Sequence, residues 1–165
     1  GVAILSKYPL RYHKATLISK TSDYNNWKSR KILSYYLTLE NHIIYLATTH
    51  FGWSDGYEIF ENQVDAAYDV INQKDLSIVA GDFNITPDSK EYQYIVRKGL
   101  IDIFKEDPEF SNKPTHVANM DIHPEGKRID YIMTNKPVTL LERDIVFSKE
   151  VVSDHFGVYA NIQFE

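Results

Sequence analysis

Cysteine is absent from this chain, so disulfides, thiolate metal sites and a cysteine nucleophile are excluded from the start. A reducing compartment fits that absence; we expect a cytoplasmic protein, with secretion left open. Basic residues are also in the minority, 18 Lys and Arg against 23 Asp and Glu, for a formal net charge of −5. The only basic grouping is the scattered Lys28, Arg30 and Lys31, so the footprint of a non-specific nucleic-acid binder is missing, although a local basic patch is compatible with this balance. No apolar run approaches the length of a transmembrane segment, and GVAILSKYPLRYHK at the amino terminus has no basic leader before its apolar residues. Repeats and low-complexity tracts are lacking too. What is present is a 43% apolar chain with twelve Tyr, eight Phe and two Trp in 165 residues. That composition and length predict one globular domain over residues 1–165, and nothing in it calls for more than a monomer.

The chain alternates strand-like and helix-like stretches. GVAILS reads as a short buried strand stopped at Tyr8-Pro9, and KILSYYLTLEN and HIIYLATTHF as two strands joined by a hairpin at Glu40-Asn41. Between Tyr57 and Gln73 the period changes, with Phe60, Val64, Ala67 and Ile71 at helical spacing. A buried strand, LSIVA, follows. The segment TPDSKEYQYIVRKG predicts a second helix over about residues 89–98, with Thr86 or Asp88 as cap and Gly99 as stop. Residues 104–127 are polar and hold three prolines, which predicts a long surface loop of the kind that often carries function. RIDYIMTN and HFGVYANIQFE alternate as half-buried strands, Phe156, Val158, Ala160, Ile162 and Phe164 sharing a face.

Polar groups of catalytic type fall at strand ends. His50 follows YLATT, Asp82 and Asn84 follow LSIVAG, Asp130 lies in KRIDYI, and Asp154-His155 precede FGVYANIQF. Each alone has an ordinary reading, His50 as a surface residue and Asp-x-Asn as a turn or helix cap. If the extended geometry persists, Asp82 and Asn84 project the same way from the carboxyl end of a strand, where α/β enzymes place ligands. Carboxylates, a carboxamide and imidazoles without Cys suit a hard cation, Mg²⁺ or Mn²⁺, completed by water and phosphate.

GVAILSKYPL, TTHFGW, VAGDFNITPDS, KRIDYI and VVSDHFGV, in that order, resemble the endonuclease/exonuclease/phosphatase superfamily, with GDFN and SDHF as the specific parts. The resemblance runs from residue 1 to about residue 164. It implies an α/β (α+β) deoxyribonuclease I-like sandwich of mainly antiparallel sheet flanked by helices, and a divalent-metal-dependent phosphoester hydrolase. Its residue roles carry over by position. Asp82 and Asn84 would orient or deprotonate water and contact the phosphate, and Asp82, Asn84 and Asp154 would make the metal site. His155, paired with Asp130, would bind phosphate or act as acid/base, and His50 would stabilise the pentacoordinate phosphorus. The family also places an Asn and a metal-binding Glu upstream of the strand that GVAILS matches. The resemblance therefore implies the carboxy-terminal part of a family domain, roughly half of a four-layer sandwich.

The substrate expected is a small soluble phosphorylated metabolite such as a sugar phosphate, since DYNNWKSRK, THFGW and VVSDHFGV resemble a bacterial branch that includes phosphatases of phosphorylated disaccharides. Arg30 could contact a terminal phosphate, a solvated charge being its alternative role. Phe51, Trp53 and Tyr57, just beyond His50, offer an aromatic platform for a sugar ring or headgroup, with core packing the alternative for at least one. Two other readings are kept: a phosphodiesterase acting on nucleic acid or a sphingomyelin-like lipid, and a truncated module without catalysis.

Overall fold

The computed structural model describes residues 1–19, 29–52, 57–117, 125–149 and 152–164, and for residues 57 and 58 the backbone alone. Strand β1 (Arg11–Leu17) pairs antiparallel with β2 (Lys31–Leu39), which turns through Glu40 and Asn41 into β3 (His42–His50). Glu40 has φ 53°, as a two-residue hairpin turn of the primed type requires. Helix α1 (Tyr57–Ile71) then carries the chain across to β4 (Leu76–Asp82), which lies parallel to β3. After α2 (Lys90–Arg97), β5 (Ile101–Asp102) and β6 (Asp130–Thr134) complete a six-stranded sheet of order β1-β2-β3-β4-β6-β5. A separate hairpin sheet is made by β7 (Thr139–Val146) and β8 (Gly157–Gln163).

The two faces of the large sheet do different work because side chains alternate along each strand. Ile32, Ala47, Val79, Tyr131 and Met133 face the helices and meet Phe60, Val64, Ala67 and Ile71 of α1 with Tyr92 and Ile95 of α2. Burial of a Phe, Val or Ile side chain contributes about 1.5–3 kcal/mol. A short helix with marginal stability of its own is held by that stripe. Across the sheet, Leu37, Ile44 and Leu76 pack with Val138 and Phe164, which flank the second sheet. The result is the expected α/β sandwich, mostly antiparallel, with helices on one face and β7–β8 beyond the other.

Several local expectations need correction. GVAILS forms no strand and Leu5 is 96% exposed, because a strand requires a neighbour for its backbone groups and none lies beside it among the described residues. The cap of α2 is Ser89, whose hydroxyl accepts from the Tyr92 amide at 3.1 Å, while Thr86 and Asp88 bond each other. Strand β7 was not expected at all, since Glu142, Arg143 and Asp144 interrupt its apolar pattern. The described part of 104–127 is no simple surface loop either, because Phe104, Phe110 and Thr115 are buried and the two rings form a small core with Ile145 and the inner face of β8.

Candidate active site

Strand register builds the first part of the site. His50 pairs with Asp82 across the parallel β3–β4 ladder, and Asp82 pairs with Asp130 across the antiparallel β4–β6 ladder, so the three residues lie in one row over three adjacent strands. All three point to the face opposite the helices, by the alternation that buries Val79, Tyr131 and Met133 on the other side. Gly81 permits the row to close up. A Cβ there would stand 2.0 Å from the Thr49 carbonyl oxygen, and its φ of 152° is one that side-chain-bearing residues rarely adopt.

His155 reaches this row from the approach to β8. Its Nδ1 lies 2.9 and 3.2 Å from the two Asp130 oxygens, and its Nε2 is 3.9 Å from Asp82 Oδ2. Asp82 Oδ2 is in turn 3.2 Å from His50 Nε2. Asp130 is itself anchored, because the buried Thr115 hydroxyl donates to Oδ2 at 2.7 Å and accepts from the Ile129 and Asp130 amides. That hydroxyl leaves the carboxylate one orientation, and Nδ1 of His155 carries the proton between them.

Asn84 arrives by another route than the extended strand expected of it. Its φ is 54°, so the strand ends at Asp82 and the chain folds back, the Asn84 amide donating to Asp82 Oδ1 at 2.8 Å. Asn tolerates this left-handed conformation better than most residues. Its side-chain amide donates to the Phe51 carbonyl at 3.0 Å, which leaves the carboxamide oxygen as its remaining lone-pair atom.

The electrostatics are unbalanced. Burial first, then the charge of Asp130, pushes the Asp82 carboxyl up to about 6. His50 falls below the ordinary imidazole value through burial and then the charges of Arg30 and His155. For His155, burial works downward but is outweighed by the hydrogen bond to Asp130 and the charges of Asp130, Asp82 and Asp154, so its pKa rises. The charge of Arg30 acts on both His50 and Asp82, and its Nε is a buried donor with no hydrogen-bond partner among the described residues.

Not every expected residue joins this group. Of the expected metal set, Asp82 and Asn84 meet where the Asn84 amide donates to Asp82 Oδ1, while Asp154 stands beside His116, its Oδ2 3.9 Å from His116 Nε2. Phe51 is 1% exposed and packs against Phe60 and Phe83, so it belongs to the core and forms no platform. Trp53 and the side chain of Tyr57 lie outside the described residues. Sequence reasoning missed Thr115 and His116 altogether. They stand alone in a polar, Pro-containing stretch, where neither periodicity nor spacing marks them.

An α/β sandwich that gathers carboxylates and imidazoles at the strand ends of one sheet defines the class of deoxyribonuclease I-like folds. The chain belongs to the endonuclease/exonuclease/phosphatase family, whose model matches residues 1–155 and whose members are hydrolases acting on phosphoester bonds. Among solved structures it is similar to an endonuclease/exonuclease/phosphatase family protein from Leptotrichia buccalis, with TM-score 0.77 and 23% identity over 95% of this chain and 63% of that one. It is also similar to a mannosyl-6-phosphatase from Bacteroides thetaiotaomicron (TM-score 0.68, 16% identity, 92% of this chain and 65% of that one). A third likeness is to D. rerio TDP2 in complex with a single-strand DNA product (TM-score 0.70, 17% identity, 94% and 69%). At these identities the likeness concerns the fold, and the chain spans less than two thirds of the first two proteins. No curated protein matches it. Among the described residues no helix is long and apolar enough to cross a membrane.

Proposed function

We propose that this chain carries the hydrolytic site of a divalent-metal-dependent phosphatase acting on a small phosphorylated metabolite such as a sugar phosphate. The observation that carries the reading is the His50, Asp82, Asp130 row with His155 held over it by Asp130. In the hydrolysis, water oxygen bonds to phosphorus as the ester P–O bond breaks. Asp82, with a pKa near 6, is ionised at neutral pH yet basic enough to take the water's proton. His155, whose pKa its carboxylate neighbours raise above the ordinary imidazole value, donates from Nε2 to the departing oxygen while Asp130 retains Nδ1. His50 and Arg30 stabilise charge on the nonbridging oxygens, and the Arg30 guanidinium suits the doubly charged oxygens of a terminal monoester.

The donor set also suits Mg²⁺ or Mn²⁺. A carboxylate whose pKa is raised by burial and a second carboxylate marks negative potential that a hard cation relieves, and Asp82 and Asn84 would hold it through oxygen. When bound, the cation neutralises phosphate charge. An acidic net charge of −5 favours a small substrate over a nucleic-acid polyanion.

The test compares hydrolysis of an aryl phosphate monoester with that of the matching diester, each with Mg²⁺ and with EDTA, using His155→Ala to expose contaminants. Monoester cleavage that EDTA abolishes, and that falls by about 10²–10⁴-fold in His155→Ala, is expected. Preference for the diester would replace the phosphatase reading with nuclease or phospholipase chemistry. Absence of both activities would leave the chain as a non-catalytic module.

A further inference from the structure

One group of metal-ligating side chains extends beyond the machinery just described and shares only His155 with it. His116, Asp154 and His155 each offer a donor atom within 4.8 Å of the other two. The juxtaposition comes from backbone pairing between distant segments. The Val117 amide donates to the Asp154 carbonyl at 2.9 Å and the Phe156 amide to the Thr115 carbonyl at 2.7 Å, which makes His116 and His155 a non-hydrogen-bonded antiparallel pair. In such a pair the side chains approach most closely. The two ring centroids are accordingly 4.6 Å apart. On its other side His116 is clamped to Lys127 by reciprocal backbone bonds of 2.9 and 2.8 Å, so this segment is held from both edges.

We propose that His116 Nε2, the Asp154 carboxylate and His155 Nε2 bind a borderline divalent cation such as Zn²⁺, and that occupancy of this site withdraws His155 from the phosphate. Two imidazoles and one carboxylate favour Zn²⁺ or Co²⁺ over Mg²⁺, which prefers oxygen. His155 already has the outer partner that metal-bound histidines use, because Asp130 takes Nδ1, and the cation displaces the Nε2 proton to bind there. Its contact to Asp82 at 3.9 Å is too long for a hydrogen bond, so what a shift gives up there is a charge attraction. His116 Nε2 and Asp154 Oδ2 are likewise 3.9 Å apart, and tetrahedral Zn²⁺ with arms of about 2.0–2.1 Å needs its donors somewhat closer. Asp154 is 63% exposed, and a swing inward gives up an exposed 3.2 Å hydrogen bond from the Ser153 hydroxyl to Oδ1. The fourth position stays open to water or to a phosphate oxygen.

The binding half of this proposal stands by itself, while its effect on turnover rests on the hydrolase reading. Zn²⁺ titrated calorimetrically into the full chain without Mg²⁺ is expected to fill one site, weakened at least tenfold in His116→Ala and in His116→Gln and unchanged in His42→Ala. Co²⁺ in its place should give visible absorption bands that both His116 variants diminish. Unchanged Zn²⁺ affinity in the His116 variants, or loss in His50→Ala instead, overturns the site. In Mg²⁺-supported aryl phosphate hydrolysis, His116→Ala should turn over like the wild type yet resist Zn²⁺ at least tenfold better; equal inhibition of both proteins overturns the regulatory half. Zn²⁺ binding through His116 in a chain that hydrolyses nothing supports the site and separates its fate from that of the hydrolase reading.

Discussion

Two carboxylate clusters lie only two residues apart along the segment 128–130, and they are built in opposite ways. Around Asp102, both oxygens are taken by the Arg128 guanidinium at 2.7 and 2.8 Å, with Tyr92 Oη and the Phe104 amide donating as well. Arg128 lies 4.5 Å from the Tyr131 ring centroid, donates to the Ser111 carbonyl, and is almost wholly buried with Asp102. Around Asp82, among the described residues, no guanidinium forms such a fork. Its neighbours are two imidazoles and a second carboxylate, and its pKa stands near 6. The closed cluster has each charge matched and shut away from water; the open one has charge left over and reachable. A fold keeps the first kind to hold itself together and the second kind to bind something else.

That contrast is most sharply broken by Asp102→Ala, which strands the buried Arg128 charge. We expect a loss of about 3–5 kcal/mol in urea unfolding. A loss under about 1 kcal/mol would mean that the fork holds little of the structure. In the open cluster the sign reverses. The native state binds the Asp82 proton more tightly than the unfolded chain does, so this group's stabilising contribution is complete below pH about 4 and is lost as pH rises through about 6. Asp82→Asn should therefore be more stable than the wild type by about 1–3 kcal/mol at pH 8 without metal, and about equal to it at pH 4, while hydrolysis is lost. Destabilisation at pH 8 would show Asp82 to be structural. The smallest effect belongs to Tyr92→Phe, which removes one hydrogen bond from a carboxylate that keeps its Arg fork. It should cost about 1 kcal/mol in thermal unfolding and leave aryl phosphate turnover unchanged.

Much of the fold was legible because its signals are local. The Phe60, Val64, Ala67, Ile71 stripe gave α1, Glu40-Asn41 gave the hairpin, and the apolar run before Gly81 gave β4. Expectations failed where tertiary context decides. GVAILS is apolar but unpaired, β7 is charged but paired, and Phe104 and Phe110 are buried in a segment whose prolines and charges suggest surface. For the site, residue types at strand ends singled out His50, Asp82, Asn84, Asp130 and His155. Position along a strand, however, says nothing of which strands are neighbours.

By itself the sequence determined the residue kinds available for chemistry, the exclusion of thiol chemistry and the elements that carry the candidate groups, since periodicity and capping act over a few residues. Tertiary structure alone decided that His50, Asp82 and Asp130 share a row, that Asn84 turns back on Asp82, that Asp154 stands with His116, and that Arg128 is locked to Asp102. The reason is register. The relevant pairings join residues far apart in the chain, and they are set by which apolar faces pack together across the whole sheet rather than by any neighbouring residue.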